Sequence, residues 1–272
     1  MRAWRKALMV AGIFMLACLL SPALAGLFAR GVSAPALRVL ARLSGNVAYP
    51  VLGFLLAMVI ALSCLMRPRV VAAALALLIA FNVLWYPLCL AGPAPAETAD
   101  ADQIFQLCAA LISDLNENGR QTISADEALA RSGDVMNAPA DAKAVRYPEW
   151  MRALHVAGMF MPFTGEALVD ATRSPVAVPF TAAHELAHML GIADEAEANF
   201  VAYENCIAYG GAFAYSARLW ALRYALSRVE NPGEVVRALD EGIKSDLSAI
   251  PSVTGVDGDY GNVVDMLAAN LS

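Results

Sequence analysis

Three long apolar runs without charged residues occupy the N-terminal third of the chain. They cover residues 7–29, 47–66 and 70–92, and each is close to the roughly 20 residues that an α-helix needs to cross the hydrocarbon core of a bilayer. The first run also fits a cleaved signal peptide with an Ala-Leu-Ala site at residues 23–25, but it continues apolar beyond that site. The pattern therefore predicts three membrane-spanning helices.

The pattern changes after the third run to that of a folded domain. Residues 93–100 are rich in proline and alanine and predict a linker. Apolar residues recur with helical spacing over 103–115, whereas two short apolar runs bounded by turn residues, 156–162 and 167–178, are typical of strands. From Thr181 the spacing is helical almost to the C-terminus. The pattern thus predicts an α+β domain that is mainly helical and has a small sheet.

Composition and charge support this division. Hydrophobic residues make up 59% of the chain, above the about 45–50% of soluble domains. Residues 1–96 hold eight of the 19 basic residues and none of the 25 acidic ones. We therefore predict a transmembrane anchor at 1–92, a linker at 93–100 and a domain at 101–272. The acidic domain lacks the basic surface that nucleic acid requires, so we expect a lipid bilayer, and no nucleic acid, as a partner.

The basic residues also predict an orientation in the membrane. Three lie at the N-terminus and two lie in the tight turn 67–69, and such clusters favour the cytoplasmic side. The loop predicted at 30–46 carries three more, but the segment after the third run has no basic residue until Arg120. We expect a multi-pass membrane protein whose C-terminal domain is extracytoplasmic.

A metal-binding motif lies in the predicted helix that begins near Thr181 and ends near Gly191. His184 and His188 are four residues apart, so on a helix they lie on one face and both imidazoles can reach one ion. Glu185 points elsewhere on the helix and can reach a water activated by that ion. The motif predicts a zinc site with Glu185 as the general base.

A third ligand is expected on the helix that follows. Three acids are candidates, namely Asp194, Glu195 and Glu197. The string EANFVA, which Glu197 opens, resembles the third-ligand helix of gluzincin-type peptidases, and this resemblance favours Glu197 with Glu195 as the alternative. Those enzymes often carry an acid four residues after the ligand; Val201 stands there in this chain, and Asn199 is a substitute.

Several longer segments extend the resemblance to nearly the whole chain. The strings GMFMPFTGEALVD, VPFTAAHELAH, EANFVAY and SARLWALRYAL resemble a family of bacterial integral-membrane proteins of unknown function. The resemblance implies a zincin-like domain behind three membrane spans, in a bacterial cell membrane, with zinc held by His184, His188 and Glu197. It implies nothing about the substrate.

The function that these observations predict is hydrolysis of a peptide bond in an unidentified peptide or protein. Zincins place an edge strand beside the metal-binding helix, and residues 165–171 are a candidate for that strand. The group that stabilises the oxyanion stays open among His155, Tyr203, Tyr209 and Tyr215. A non-catalytic, metal-stabilised membrane sensor or assembly protein is the alternative, because a metal and a fold do not establish turnover.

Overall fold

The protein is mainly helical and has one small sheet, as the sequence predicts. The computed structural model describes residues 2–45, 83, 85, 87–91, 97–153, 156–250 and 259–270. Elements are numbered below in chain order within those ranges.

The N-terminal region forms consecutive helices that are interrupted at Ser21. Its elements are α1 (Arg2–Leu20), α2 (Pro22–Phe28), a π-helical turn (Ala29–Ser33) and α3 (Ala34–Gly45). The Ser21 side chain accepts a hydrogen bond from the backbone N of Leu24 at 3.3 Å and so caps α2. Pro22 fits the first turn of α2 but cannot continue α1, because it has no N–H to donate. The chain therefore breaks between α1 and α2.

This break changes the predicted membrane spans. Among the described residues, one continuous helix, Pro22–Gly45, is long and apolar enough to cross a membrane, by length and composition only. The apolar part of α1, Met9–Leu20, is shorter. The predicted first span at 7–29 is thus divided, and the candidate helix includes residues 30–45 of the segment 30–46, which the sequence predicts to be a loop. Among the described residues the structure thus supports one candidate span, Pro22–Gly45, by length and composition.

The two other predicted spans fall largely outside the described residues. The run at 47–66 lies wholly outside them, and only the end of the run at 70–92 is described. Residues 87–90 in that end are helical, and Leu88 is buried in the core of the domain.

Helix α3 packs against the C-terminal domain through one face. Leu37, Ala41 and Ser44 are buried and lie at helical spacing, whereas Val39 and Leu43 on the opposite face are exposed. The backbone oxygen of Ser44 accepts a hydrogen bond from Nζ of Lys143 in the domain at 2.8 Å. α3 is therefore part of the folded unit.

Two glycines permit this close packing. Gly165 and Gly191 have φ of +69° and +99°, a backbone conformation that favours glycine. A Cβ at Gly165 would lie 2.4 Å from the backbone N of Ala41, and a Cβ at Gly191 would lie 2.6 Å from Cβ of Ala34. Larger residues at either glycine would push α3 away from the domain.

The sheet has three strands in the order β1-β3-β2. They are β1 (Lys143–Ala144), β2 (Gly158–Met161) and β3 (Glu166–Val169). β3 runs parallel to β1 and antiparallel to β2. Every residue of β3 is buried, because β3 is central and one of its faces packs on the helical layer. β2 pairs with one neighbour among the described strands and is an edge strand.

The helical layer surrounds one buried helix, α7. The helices of this layer are α4 (Ala101–Asn118), α5 (Ala125–Met136), α6 (Glu149–Ala153), α7 (Val178–Met189), α8 (Glu195–Tyr209), α9 (Gly211–Leu226), α10 (Pro232–Val236), α11 (Glu241–Ala249) and α12 (Asp259–Ala269). α7 contacts α5, α8, α9, β2 and β3. A helix enclosed on so many sides holds its side chains in fixed positions.

Candidate metal site

Helix α7 positions the motif residues. It starts at Val178, earlier than the start near Thr181 that the sequence predicts. The Thr181 hydroxyl donates to the backbone oxygen of Ala177 at 2.9 Å and so does not cap the helix. Ser216 of α9 accepts a hydrogen bond from the Phe180 backbone N at 3.1 Å. These bonds fix the first turn of α7 and, with it, the direction of its two histidines.

Two histidines and one glutamate meet beside α7. Nε2 of His184 lies 3.1 Å from Nε2 of His188. The two carboxylate oxygens of Glu195 lie 3.2 Å from Nε2 of His184 and 3.5 Å from Nε2 of His188. The three side chains thus offer one ligand atom each, all within 4.8 Å of one another. This separation is suitable for donors around a single ion.

The tautomer of His188 follows from its second ring nitrogen. Nδ1 of His188 lies 2.7 Å from the backbone oxygen of Ile192, and an acceptor there requires Nδ1 to carry the proton. In the neutral ring Nε2 then presents a lone pair toward His184 and Glu195. Two ring nitrogens and a carboxylate facing one another repel unless a proton or a metal cation lies among them, and this donor set is one that suits a divalent metal.

Glu197 does not join this group. Asp194 caps α8 by accepting a hydrogen bond from the Glu197 backbone N at 2.8 Å. Glu195 and Glu197 are two residues apart, which is about 200° around a helix, so both cannot face one ion. Among the described residues the cluster contains Glu195, and the geometry favours the alternative that the sequence left open.

One sequence signal agrees with Glu195. Asn199 lies four residues after Glu195, one helical turn further along α8, so the polar residue expected four positions after the ligand is present in this register. With Glu197 as the ligand the same position holds Val201, an apolar residue. The spacing of four residues between Glu195 and Asn199 is therefore the sequence feature that indicates Glu195 as the ligand.

Asn199 is buried and, like His184, has a side-chain nitrogen without a hydrogen-bond partner among the described residues. It is 1% exposed, and its Oδ1 accepts a hydrogen bond from the Tyr224 hydroxyl at 3.3 Å. Its Nδ2 and Nδ1 of His184 are both buried without a hydrogen-bond partner among the described residues. The amide oxygen and nitrogen of an asparagine are interchangeable by a 180° rotation.

Glu185 faces the edge strand β2. It is 5% exposed, and its carboxylate accepts a hydrogen bond from the backbone N–H of Phe160. A Cβ at Gly158 would lie 2.5 Å from Oε1 of Glu185, so glycine leaves the space that this carboxylate occupies. The edge strand beside Glu185 is therefore β2; the predicted edge strand at 165–171 instead forms the central strand β3.

Burial and neighbouring charges shift the pKa values of the cluster. Burial raises the pKa of Glu185, although the neighbouring histidines partly oppose the rise. Burial alone would lower the pKa of His188, but the hydrogen bond to Glu195 and the charges of Glu185 and Glu195 raise it to about 9. Burial alone would raise the pKa of Glu195, and the hydrogen bonds from the two histidines lower it well below its usual range. The cluster therefore attracts positive charge.

The three candidate tyrosines that the structure describes have their recorded partners away from this cluster. The Tyr215 hydroxyl donates to Oδ2 of Asp246 at 2.6 Å, and Tyr209 is an exposed residue whose ring packs on Phe213. Tyr203 is near the charges of Arg218 and Asp114. His155 lies outside the described residues.

An aromatic residue from the third apolar run adjoins the cluster. The Trp85 ring centroid lies 6.2 Å from that of His188, in an edge orientation, and 5.6 Å from that of Phe160 in β2. No sequence pattern predicts this contact, because a tryptophan inside an apolar run is typical of a membrane helix end.

The chain belongs to the family described as Protein of unknown function (DUF3810), whose family model matches residues 61–268. No curated protein and no solved structure matches the chain. The matched region begins in the predicted second span and continues through the predicted linker into α12. The resemblance to a family of unknown function is therefore confirmed, and the family joins part of the apolar region to the domain.

Proposed function

We propose that this protein is a zinc-dependent metallopeptidase in which His184, His188 and Glu195 bind the metal. The observation that carries the proposal is the convergence of three ligand atoms within 4.8 Å of one another, with the buried carboxylate of Glu185 on the same helix. Two imidazoles and one carboxylate are a common protein ligand set of catalytic zinc, which leaves a fourth position for water or substrate.

Zinc supplies Lewis-acid chemistry at such a site, because it lowers the pKa of a coordinated water from 15.7 to about 7 and polarises a carbonyl group. Glu185 acts as the general base. Its carboxylate removes a proton from the attacking water and later delivers that proton to the nitrogen of the leaving amine. The raised pKa of Glu185 brings its proton affinity closer to that of groups that act at neutral pH.

β2 supports this chemistry in two ways. The Phe160 N–H holds the Glu185 carboxylate, and Gly158 leaves room for it. β2 is also the edge strand nearest to α7, so its outer edge is the place where an extended peptide can bind by adding a strand. The substrate backbone would then lie beside the ion and Glu185.

Asn199 is proposed to position His184. Nδ2 of Asn199 and Nδ1 of His184 are both buried without a hydrogen-bond partner among the described residues. A bond formed when the amide rotates and the two side chains approach each other would satisfy the Nδ1–H of His184. The exchanged amide nitrogen can donate to the Tyr224 oxygen.

The membrane arrangement is part of the same proposal. We infer a multi-pass protein of a bacterial cell membrane with its metal domain outside the cytoplasm, because the basic residues cluster at the N-terminus and at 67–69. A reporter fused after Leu271 that is active only in the cytoplasm would contradict this orientation.

The ligand set is tested by measuring bound zinc per protein for the full chain in detergent. We expect about one zinc for the wild type and for Glu185→Gln, and none for Glu195→Ala. Glu197→Ala is the matched control, because it removes the same group two residues away and should keep the metal. Loss of zinc in Glu197→Ala together with full binding in Glu195→Ala would reverse the ligand assignment.

Catalysis is tested with the same variants on a mixed peptide library. Zinc-loaded wild type should cleave some members, and Glu185→Gln, which keeps the metal, should cleave none at a comparable rate. Cleavage by Glu185→Gln at the wild-type rate would exclude the proposed general base.

A non-catalytic, metal-stabilised membrane sensor or assembly protein is the second candidate. The observation that favours it is burial, since Glu185 and His188 are 5% and 6% exposed. A structural zinc has four protein ligands and no exchangeable position. Binding of acetohydroxamic acid, a small zinc ligand, to the zinc-loaded protein would demonstrate an open position and exclude a closed structural site.

A further inference from the structure

The apolar run that was predicted as a third membrane span contributes two side chains to the neighbourhood of the metal site. Leu88 is 5% exposed and belongs to the hydrophobic core of the domain. Its Cδ2 would lie 3.7 Å from a Cβ at Gly191, the residue just after α7. Trp85, three residues earlier, packs against the same core but is only partly buried. Leu88 thus anchors the segment, and Trp85 retains accessible surface.

Trp85 touches two groups that adjoin the proposed chemistry. Its ring lies edge-on to His188 at 6.2 Å between centroids and is tilted against Phe160 at 5.6 Å. The backbone N–H of Phe160 in turn holds the carboxylate of Glu185. Trp85 therefore contacts a proposed ligand directly, and Phe160 separates it from the proposed general base.

Side chains alternate between the two sides of β2, and this alternation shows which side carries the contacts. Gly158 and Phe160 are two residues apart and lie on the same side of the strand. That side faces Glu185 at Gly158 and Trp85 at Phe160. A peptide placed along the edge of β2 would have Trp85 next to the side chains that point toward α7.

We infer that Trp85 is a substrate-binding residue, which forms an apolar wall for an aromatic or large aliphatic side chain adjacent to the cleaved bond. This inference rests on the proposed function and adds the class of side chain that the site selects. An indole ring offers a large apolar surface at a low cost in conformational entropy, and it favours offset or edge contacts with another aromatic ring. Its partial exposure leaves part of that surface available to a ligand.

The test uses two zinc-binding hydroxamic acids that differ by a phenyl group. Acetohydroxamic acid and 3-phenylpropionohydroxamic acid are titrated into the zinc-loaded full chain in detergent. We expect the phenyl compound to bind about ten-fold more tightly to the wild type, because its ring is removed from water against Trp85. Trp85→Ala should reduce this preference to about two-fold or less, whereas Trp85→Phe should keep most of it.

Two controls separate contact between the phenyl group and Trp85 from effects of detergent and of the hydroxamate group itself. Trp150→Ala removes a tryptophan that is 38% exposed on α6, and it should keep the ten-fold preference, so partition of the phenyl compound into detergent is accounted for. Acetohydroxamic acid should bind the wild type and Trp85→Ala equally. An unchanged preference in Trp85→Ala would overturn the inference.

A second readout does not depend on an inhibitor. Cobalt(II) bound at His184 and His188 should quench the fluorescence of Trp85, and Trp85→Phe should lose most of the quenching that Trp150→Phe retains. Equal quenching in both variants would also overturn the inference. The proposed function fails separately, and this inference fails with it, if zinc is bound but acetohydroxamic acid does not bind to the wild type.

Discussion

Two clusters of charged residues that each contain a buried carboxylate lie close to the sheet, and they differ in where their positive charge comes from. Asp170, whose side chain is fully buried, follows β3 and meets two arginines, with Nε of Arg152 at 3.1 Å and Nε of Arg173 at 3.6 Å. The second cluster, called the α7 cluster here because three of its members lie on α7, joins the carboxylates of Glu185 and Glu195 to the imidazoles of His184 and His188. The first cluster contains permanent cations, and the second does not.

This difference separates a structural cluster from a binding site. An arginine is always charged, so the Asp170 cluster is neutralised when the chain folds and needs nothing from solution. A histidine is charged only when it binds a proton, and a neutral imidazole is a metal ligand. The α7 cluster must therefore take up protons or a metal ion, whereas burial of a carboxylate alone would not distinguish the two clusters.

The largest expected effect is stabilisation of the α7 cluster by zinc. Zinc at about 1,000 times its dissociation constant should stabilise the wild type by about 4 kcal/mol, because it binds the folded state. For a chain of this size that raises the melting temperature by about 10 °C, as measured by thermal unfolding with zinc and after chelation. Glu195→Ala should show no such shift. A wild type whose melting temperature is indifferent to zinc would remove the distinction between the clusters.

The next effect is expected in the Asp170 cluster, which contains two arginines as permanent cations. Asp170→Ala leaves two arginines without their buried partner, and we expect a loss of about 3 kcal/mol in the free energy of unfolding. Chemical denaturation of the full chain in detergent measures this loss. Bound zinc should stay near one per chain in conditions where the variant is folded. Stability equal to that of the wild type would show that the Asp170 cluster contributes little.

A smaller effect is expected from Asn199. Asn199→Leu keeps the volume approximately but cannot accept a hydrogen bond from His184, so zinc affinity should fall about 10–100-fold. Asn199→Asp supplies an acceptor and should retain most of the affinity. Competition with a chelator of known strength measures both variants. Equal affinity of Asn199→Leu and the wild type would exclude a hydrogen bond to His184.

The general architecture and the two histidines could be predicted because each depends on local pattern. Helical spacing identified the metal-binding helix, and its HExxH spacing placed both imidazoles on one face. Pro22, by contrast, lies within an apolar run, where hydropathy alone does not register a helix break. The docking of α3 also escaped prediction, because it depends on close contacts of Gly165 and Gly191 with a segment distant in sequence.

The choice between Glu195 and Glu197 as the third ligand could not be predicted from the sequence, for a different reason. Both acids lie in the first turn of α8, and the direction of each is set by the exact residue at which the helix starts. The cap formed by Asp194 fixes that start. Trp85 was beyond prediction for another reason, because its contact with His188 joins residues about 100 positions apart and involves no periodic pattern.

The last expected effect is a dependence of stability on pH above 6.5, a range in which the Asp170 cluster should not titrate. The pKa of His188 is raised from 6.5 to about 9 in the metal-free fold, so its contribution to stability is complete below pH 6.5 and is lost as the pH rises through about 9. The raised pKa of Glu185 acts in the same direction. The melting temperature of the metal-free wild type should therefore fall between pH 6.5 and 9.5. Glu195→Ala, which removes the main partner that raises the His188 pKa, should show a flatter decline. Zinc replaces the proton at this site, so the melting temperature of the zinc-loaded wild type should not decline over this pH range. If the zinc-loaded protein loses stability to the same extent as the metal-free protein, the titrating group lies outside the α7 cluster.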